Sequence, residues 1–149
     1  MEDLTKRAWE IFRQVQEKRP LVQCITNFVT VNDCANMILA AGGSPSMAHD
    51  IREAAEAAAS ALVCNLGAIG DTDAMEAAGK AANLLGIPVV FDPVAAGGTS
   101  LRRAEAARLM RAVHFSVIRG NASEIRFLAG EQSSGSGVDA GMFDEITEE

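Results

Sequence analysis

Phe115-Ser116-Val117-Ile118-Arg119-Gly120-Asn121-Ala122-Ser123-Glu124 reads as a strand, a turn and a helix N-terminus in direct succession. The apolar run from Phe115 to Ile118 stops at Arg119-Gly120-Asn121, and a helical pattern opens at Ala122. In an open parallel sheet, turns of this kind line the ligand crevice at the carboxyl ends of the strands. This turn gathers a cation, a glycine, an amide and a carboxylate. Such groups suit a nucleotide and its magnesium ion.

Upstream, the same strand–turn–helix alternation repeats. Leu4, Ala8, Ile11, Phe12 and Val15 fall at helical spacing and predict an amphipathic first helix that Pro20 ends. A short strand is expected over Leu21 to Thr26, and a helix from Asn32 that Gly42-Gly43 stops. A weak strand follows near Ser44 to Met47. Asp50 with Glu53 three residues later resembles a capping box before an alanine-rich helix. Ala61 to Leu66 reads as a strand ending at Gly67, and Asp71 or Thr72 caps a helix running to Leu85 and stopping at Gly86. Ile87 to Phe91 is the clearest strand and leads into Asp92-Pro93. After the Gly97-Gly98 loop, Thr99 or Ser100 caps a helix from Leu101 to Val113.

The strands are short and continuously apolar, as expected when helices cover both faces of a parallel sheet. The predicted architecture is an α/β protein, a three-layer α/β/α sandwich with a mainly parallel sheet. Residues 1–130 form a partial α/β domain by this reading. Residues 131–149 read as a flexible loop around Ser133–Gly137 and an acidic tail over Asp144–Glu149.

Composition narrows the function. A chain of 149 residues fits one domain, and such a domain buries roughly 70% of its unfolded surface. The net charge of −7 leaves no basic excess for neutralising phosphates, so no nucleic-acid partner is expected. No apolar run reaches the about 18 residues of a membrane span, so no membrane partner is expected. The acidic start Met1-Glu2-Asp3 does not resemble a secretory signal. Cys24, Cys34 and Cys64 have neither disulfide nor CxxC spacing, and all three are expected to be buried and inert in a reducing cytoplasm.

The residues that could carry chemistry cluster just after the predicted strands: Asn27, Met47, Gly67, Asp92, Arg119, Asn121 and Glu124. In a parallel sheet these positions share one edge. Asp92 reads either as a carboxylate binding magnesium or as a turn aspartate bonded to its own backbone. Asn121 and Glu124 read as an N-cap and its N3 partner, a role compatible with reaching a hydrated magnesium ion. Arg119 reads as a surface arginine or as a bidentate phosphate ligand. Met47 reads as a pocket wall or as core filling. His49 and His114 lack metal-ligand spacing, and there is no GxxxxGK[ST] loop.

Four segments together resemble one family. Pro20-Leu-Val-Gln-Cys-Ile-Thr-Asn27, Gly43-Ser-Pro-Ser-Met-Ala48, Val89-Val-Phe-Asp-Pro-Val94 and Ile118-Arg-Gly-Asn-Ala-Ser-Glu-Ile125 look like hydroxyethylthiazole kinase, from about Pro20 to Gly130. The resemblance implies a ribokinase-like fold and a role in thiamine biosynthesis or salvage. It implies ATP-dependent phosphorylation of the hydroxyl of 4-methyl-5-(2-hydroxyethyl)thiazole, with Mg2+ at the phosphates. By resemblance, Met47, Asn27 and Gly67 contact the thiazole, Arg119 and Asn121 contact ATP, and Asp92 and Glu124 surround the magnesium. It further implies a homotrimer with the thiazole site between subunits. The sequence departs from the family by lacking the later Gly-Thr/Ala-Gly-Cys segment, where backbone amides stabilise the transferring phosphoryl group. No catalytic residue is therefore assigned, and the isolated chain is expected to be inactive. The alternatives are a thiazole-binding module without phosphoryl transfer, or a vitamin or sugar-alcohol kinase of the same fold.

Overall fold

A computed structural model describes residues 2–57 and 60–130. The predicted loop and tail over 131–149 lie outside the described residues. The elements, in chain order, are α1 (Glu2–Lys18), β1 (Leu21–Ile25), α2 (Val31–Ala40), β2 (Ser44–Ser46), α3 (Ile51–Ala57) and β3 (Ala61–Asn65). A 3-10 turn (Ile69–Asp71) leads into α4 (Thr72–Leu84), followed by β4 (Val89–Asp92), α5 (Ser100–Ala112), β5 (Val117–Ile118) and α6 (Ala122–Leu128).

The five strands form one sheet in the order β2-β1-β3-β4-β5, and every neighbouring pair is parallel. The chain moves outward from β1 to β2, then crosses back over β1 to β3 and continues to β5. That reversal puts a topological switch point between β1 and β3, where open α/β sheets bind ligands. Right-handed crossovers place α2 on one face and α3, α4 and α5 on the other, giving three layers.

Burial follows this asymmetry. Leu62 and Cys64 of β3 and Val89 and Phe91 of β4 are fully buried, packed with Ala54 of α3, Met75 and Ala78 of α4, and Leu109 of α5. Each large side chain in this core contributes about 1.5–3 kcal/mol by leaving water. On the opposite face, Val63 and Val90 are only half-buried and Val117 is 53% exposed. The strands are apolar on both sides, but among the described residues the two faces are not covered equally. The helix α2 packs on β2, at the far end of the sheet from β5. The amphipathic α1 has no buried residue among those described, and Leu4, Trp9 and Ile11 face solvent.

The helix stops match the sequence. Gly42 and Gly86 take positive φ of 95° and 69°, the left-handed conformation that favours glycine after a helix. Two strands are shorter than their apolar runs suggest. The β4 ladder starts at Val89, not Ile87, because Pro88 has no N–H to donate, and β5 starts at Val117, after Phe115 has stacked its ring on Phe91 at 4.6 Å. The Asp50–Glu53 capping box is also corrected. The Asp50 carboxylate accepts the Arg52 backbone N–H at 2.9 Å and also pairs with the Arg52 guanidinium, and no reciprocal Glu53 bond occurs among the described hydrogen bonds.

Candidate active site

Strand order arranges the predicted residues along one edge as Met47, Asn27, Gly67, Asp92 and Arg119: Asp92 is the last residue of β4, and the others follow β2, β1, β3 and β5. With strands about 4.8 Å apart, that edge is about 19 Å long.

The β1–β2 end is built by two loops that touch. His49 meets Phe28 edge to face, with ring centroids 5.9 Å apart, so the Met47 loop and the Asn27 loop are neighbours. Asn27 has a structural task as well. Its Oδ1 accepts the Val29 and Thr30 backbone N–H groups at 3.0 and 3.1 Å and so caps the approach to α2. Its Nδ2 lies against Gly67, where an added Cβ would come within 3.1 Å of it. Asn27 and Gly67 therefore share a wall, and Met47 is half-buried on the neighbouring loop.

Asp92 ends β4 with a mostly buried side chain, and its Oδ2 accepts from Arg119 Nη1 at 2.7 Å and from Asn65 Nδ2 at 3.0 Å. Burial pushes its carboxyl above the usual carboxylate range, and the Arg119 guanidinium pulls against that. Arg119 is 69% exposed, so its remaining donors face solvent over the edge.

The turn between β5 and α6 forms a capped helix start. Asn121 Oδ1 accepts the Glu124 N–H, and Glu124 Oε2 accepts the Asn121 N–H, both at 2.9 Å, completing a capping box. The other carboxylate oxygen of Glu124 accepts the Ala95 N–H at 2.9 Å. Glu124 thus joins the loop after β4 to the start of α6. Gly120 is required by close approach, since a Cβ there would fall 2.8 Å from Glu124 Oε2.

These donors fit a hydrated magnesium ion, which takes one or two carboxylates plus phosphate and water oxygens. Both described bonds to Asp92 fall on Oδ2, which leaves Oδ1 for a cation or its water. Glu124 is committed to two backbone N–H groups, so its second lone pairs suit water-mediated contact. No group of three or more His, Cys, Asp or Glu suited to a metal occurs among the described residues.

Two residues escaped the sequence reading. Asn65 binds both Asp92 and the Gly67 backbone, and Arg102 donates from Nη1 to Leu66 O at 3.0 Å and Val94 O at 2.9 Å, clamping the loops after β3 and β4. The available signal for Asn65 was a polar residue ending an otherwise apolar run. Arg102 gave none, because it sits two residues into a polar helix. A separate cleft of about 460 Å³, bounded by His49 to Arg52 and Gly70 to Ala74, contains none of the predicted site residues. Of the cysteines, Cys24 and Cys64 are buried, and burial pushes their thiols up to about 11 and about 12. Cys34 is only half-buried, contrary to expectation.

Known proteins resemble this chain over most of its length. The hydroxyethylthiazole kinase family matches residues 12–147. A hydroxyethylthiazole kinase of Clostridium beijerinckii is 48% identical over 97% of this chain and 54% of its own length. One of Desulfovibrio desulfuricans is 51% identical over 88% of this chain and 47% of its own. A solved structure of hydroxyethylthiazole kinase protein from Pyrococcus horikoshii OT3 superposes with a TM-score of 0.76 at 42% identity, over 81% of this chain and 49% of that one. The chain spans about half the length of the curated relatives it matches. With a family match over most of its length and a solved structure of the same fold at 42% identity, the chain belongs to the hydroxyethylthiazole kinase family.

Proposed function

We propose that this chain supplies the alcohol-binding and magnesium-facing part of a kinase that transfers the γ-phosphoryl group of ATP to the hydroxyl of 4-methyl-5-(2-hydroxyethyl)thiazole. The observation that carries this reading is the single edge holding Met47, Asn27 and Gly67 at one end and Asp92, Arg119 and Glu124 at the other. Met47, Asn27 and Gly67 would wall the thiazole. The exposed donors of Arg119 would engage ATP phosphates, beside Asn121 at the helix start. Asp92 directly, and Glu124 through water, would hold magnesium, which supplies charge neutralisation across the phosphates. The sequence has no glycine-rich segment ending in cysteine, so this polypeptide alone is expected to bind the alcohol without turning it over. Residues 1–130 act as the partial kinase domain in this reading, with 131–149 appended to it.

The apolar side chains beside the thiazole end support the trimer that the resemblance implies. Phe28 and Val29 next to Asn27, with Met37 and Leu39 on α2, are all more than half exposed. No helix among the described residues is long and apolar enough to cross a membrane. The negative charge and free cysteines fit a cytoplasmic enzyme without a nucleic-acid partner.

The test is calorimetry of the thiazole alcohol against the chain without nucleotide, with Met47→Ala as the comparison. Millimolar or tighter binding weakened by Met47→Ala is expected, as is no ADP release above background in a coupled assay. Absence of binding at millimolar alcohol would overturn the reading of the pocket, and robust turnover would overturn the assignment of a partial site.

A further inference from the structure

We infer that Asn65 is a positioning residue that ties the two ends of the site together. What those ends bind rests on the kinase reading above. The tie itself rests on geometry. In the parallel register Asn65 lies directly beside Asp92. Its Nδ2 donates to Asp92 Oδ2 at 3.0 Å, and its Oδ1 accepts the Gly67 N–H at 2.8 Å. One planar amide therefore orients the carboxylate that faces the cation and the backbone turn that walls the alcohol pocket. An added Cβ at Gly67 would fall 2.5 Å from Asn65 Oδ1, so the turn and the amide are fitted to each other.

The chemistry selects asparagine at this position. A carboxylate accepts and an N–H donates, so the bridging side chain must offer one donor and one acceptor about two bonds apart. An aspartate would satisfy Gly67 but set a second negative charge against Asp92. A leucine of similar volume would satisfy neither partner and leave the mostly buried Asp92 carboxylate held by Arg119 alone. Arg119 is largely exposed, so Asn65 is the partner that fixes Asp92 from the protein side.

The test separates the two bonds. In Asn65→Asp the acceptor for Gly67 survives and the donor to Asp92 is lost, and in Asn65→Leu both are lost. By nuclear magnetic resonance on the ligand-free chain, Gly67 amide exchange is expected to rise about tenfold in Asn65→Leu and to stay near the parent rate in Asn65→Asp. The Asn65 side-chain amide protons of the parent are expected to exchange about tenfold faster in Asp92→Ala. With Mn2+ and the thiazole alcohol as probes, Asn65→Leu is expected to weaken both, whereas Asp92→Ala weakens Mn2+ alone. A residue that only stabilises the strand end would lower the melting temperature in both Asn65 variants without splitting the Gly67 rates. Equal Gly67 rates in the two variants, or Asn65 amide protons indifferent to Asp92→Ala, would overturn the inference. A parent chain that binds neither probe would count against the kinase reading, while the exchange rates still decide the role of Asn65. If Asn65→Leu does not fold, Asn65→Asp and Asp92→Ala carry the decision.

Discussion

Replacing Glu124 by glutamine sets two opposing effects against each other. The carboxylate is buried and accepts two backbone N–H groups, from Ala95 and Asn121, each at 2.9 Å. Glutamine brings one acceptor oxygen, so one N–H is left facing an NH2 group, and the surviving bond loses its charge. Losing one charge-assisted bond and weakening another costs about 2–3 kcal/mol. In the other direction, the substitution relieves Asp92, whose carboxyl is raised first by burial and also by the charge of Glu124. Arg119 at 2.7 Å already neutralises much of the Asp92 charge, so this relief is below about 1 kcal/mol. The net expectation is a loss of about 2 kcal/mol, or about 6 °C in Tm for a domain of this size. Urea denaturation of the parent and Glu124→Gln, without nucleotide or metal, measures it directly. A neutral or stabilising result would refute the reasoning. It would mean that Glu124 is held at a cost for cation binding and does not fasten two loops.

Three further outcomes are expected. In α4, Gly79 lies so close to Val113 that an added Cβ would fall 2.6 Å from Val113 Cγ2. Gly79→Ala should therefore destabilise by about 1–3 kcal/mol despite its better helix propensity, and Gly79→Ala with Val113→Ala should recover part of that loss in denaturation. In alkylation at pH 8 of the folded chain, Cys34 should react well before Cys24 and Cys64, whose buried thiols are pushed up to about 11 and about 12, and urea should abolish the difference. Arg108 ties Glu76 and Glu105 across α4 and α5 at 2.6 Å each, and its hydrogen bond is the main cause that lowers the Glu105 carboxyl. A carboxyl lowered in the folded state adds stability above its unfolded pKa and loses it as pH falls. Arg108→Met should thus cost about 1 kcal/mol near pH 7, with the gap closing below about pH 4 in thermal melts.

The local half of the site was legible because its contacts are short in sequence. Asn121 and Glu124 close their capping box within three residues, and glycines at 42 and 86 stop helices as composition suggests. The rest depended on partners far along the chain. Asn65 meets Asp92 only because β3 and β4 pair in register, and Arg102 reaches Leu66 across 36 positions. For Glu124 the sequence pattern showed the cap and a possible reach to magnesium, but not its bond to the Ala95 N–H, which spans 29 positions. The outward-facing stripe of α1 was also hidden, because helical periodicity shows that a helix has an apolar side without showing what covers it.

The sequence by itself determined the succession of strands and helices, the turns that separate them and the family to which the motifs point. Those features follow from backbone preference and from hydrogen bonds within a few residues, which the order of side chains specifies directly. Only the tertiary structure decided that β1 lies between β2 and β3, that Asn65 sits between Gly67 and Asp92, and that Arg119 closes on Asp92. Those relations are set by which apolar faces bury against which, and a one-residue change in strand register would turn every one of these side chains to the other face.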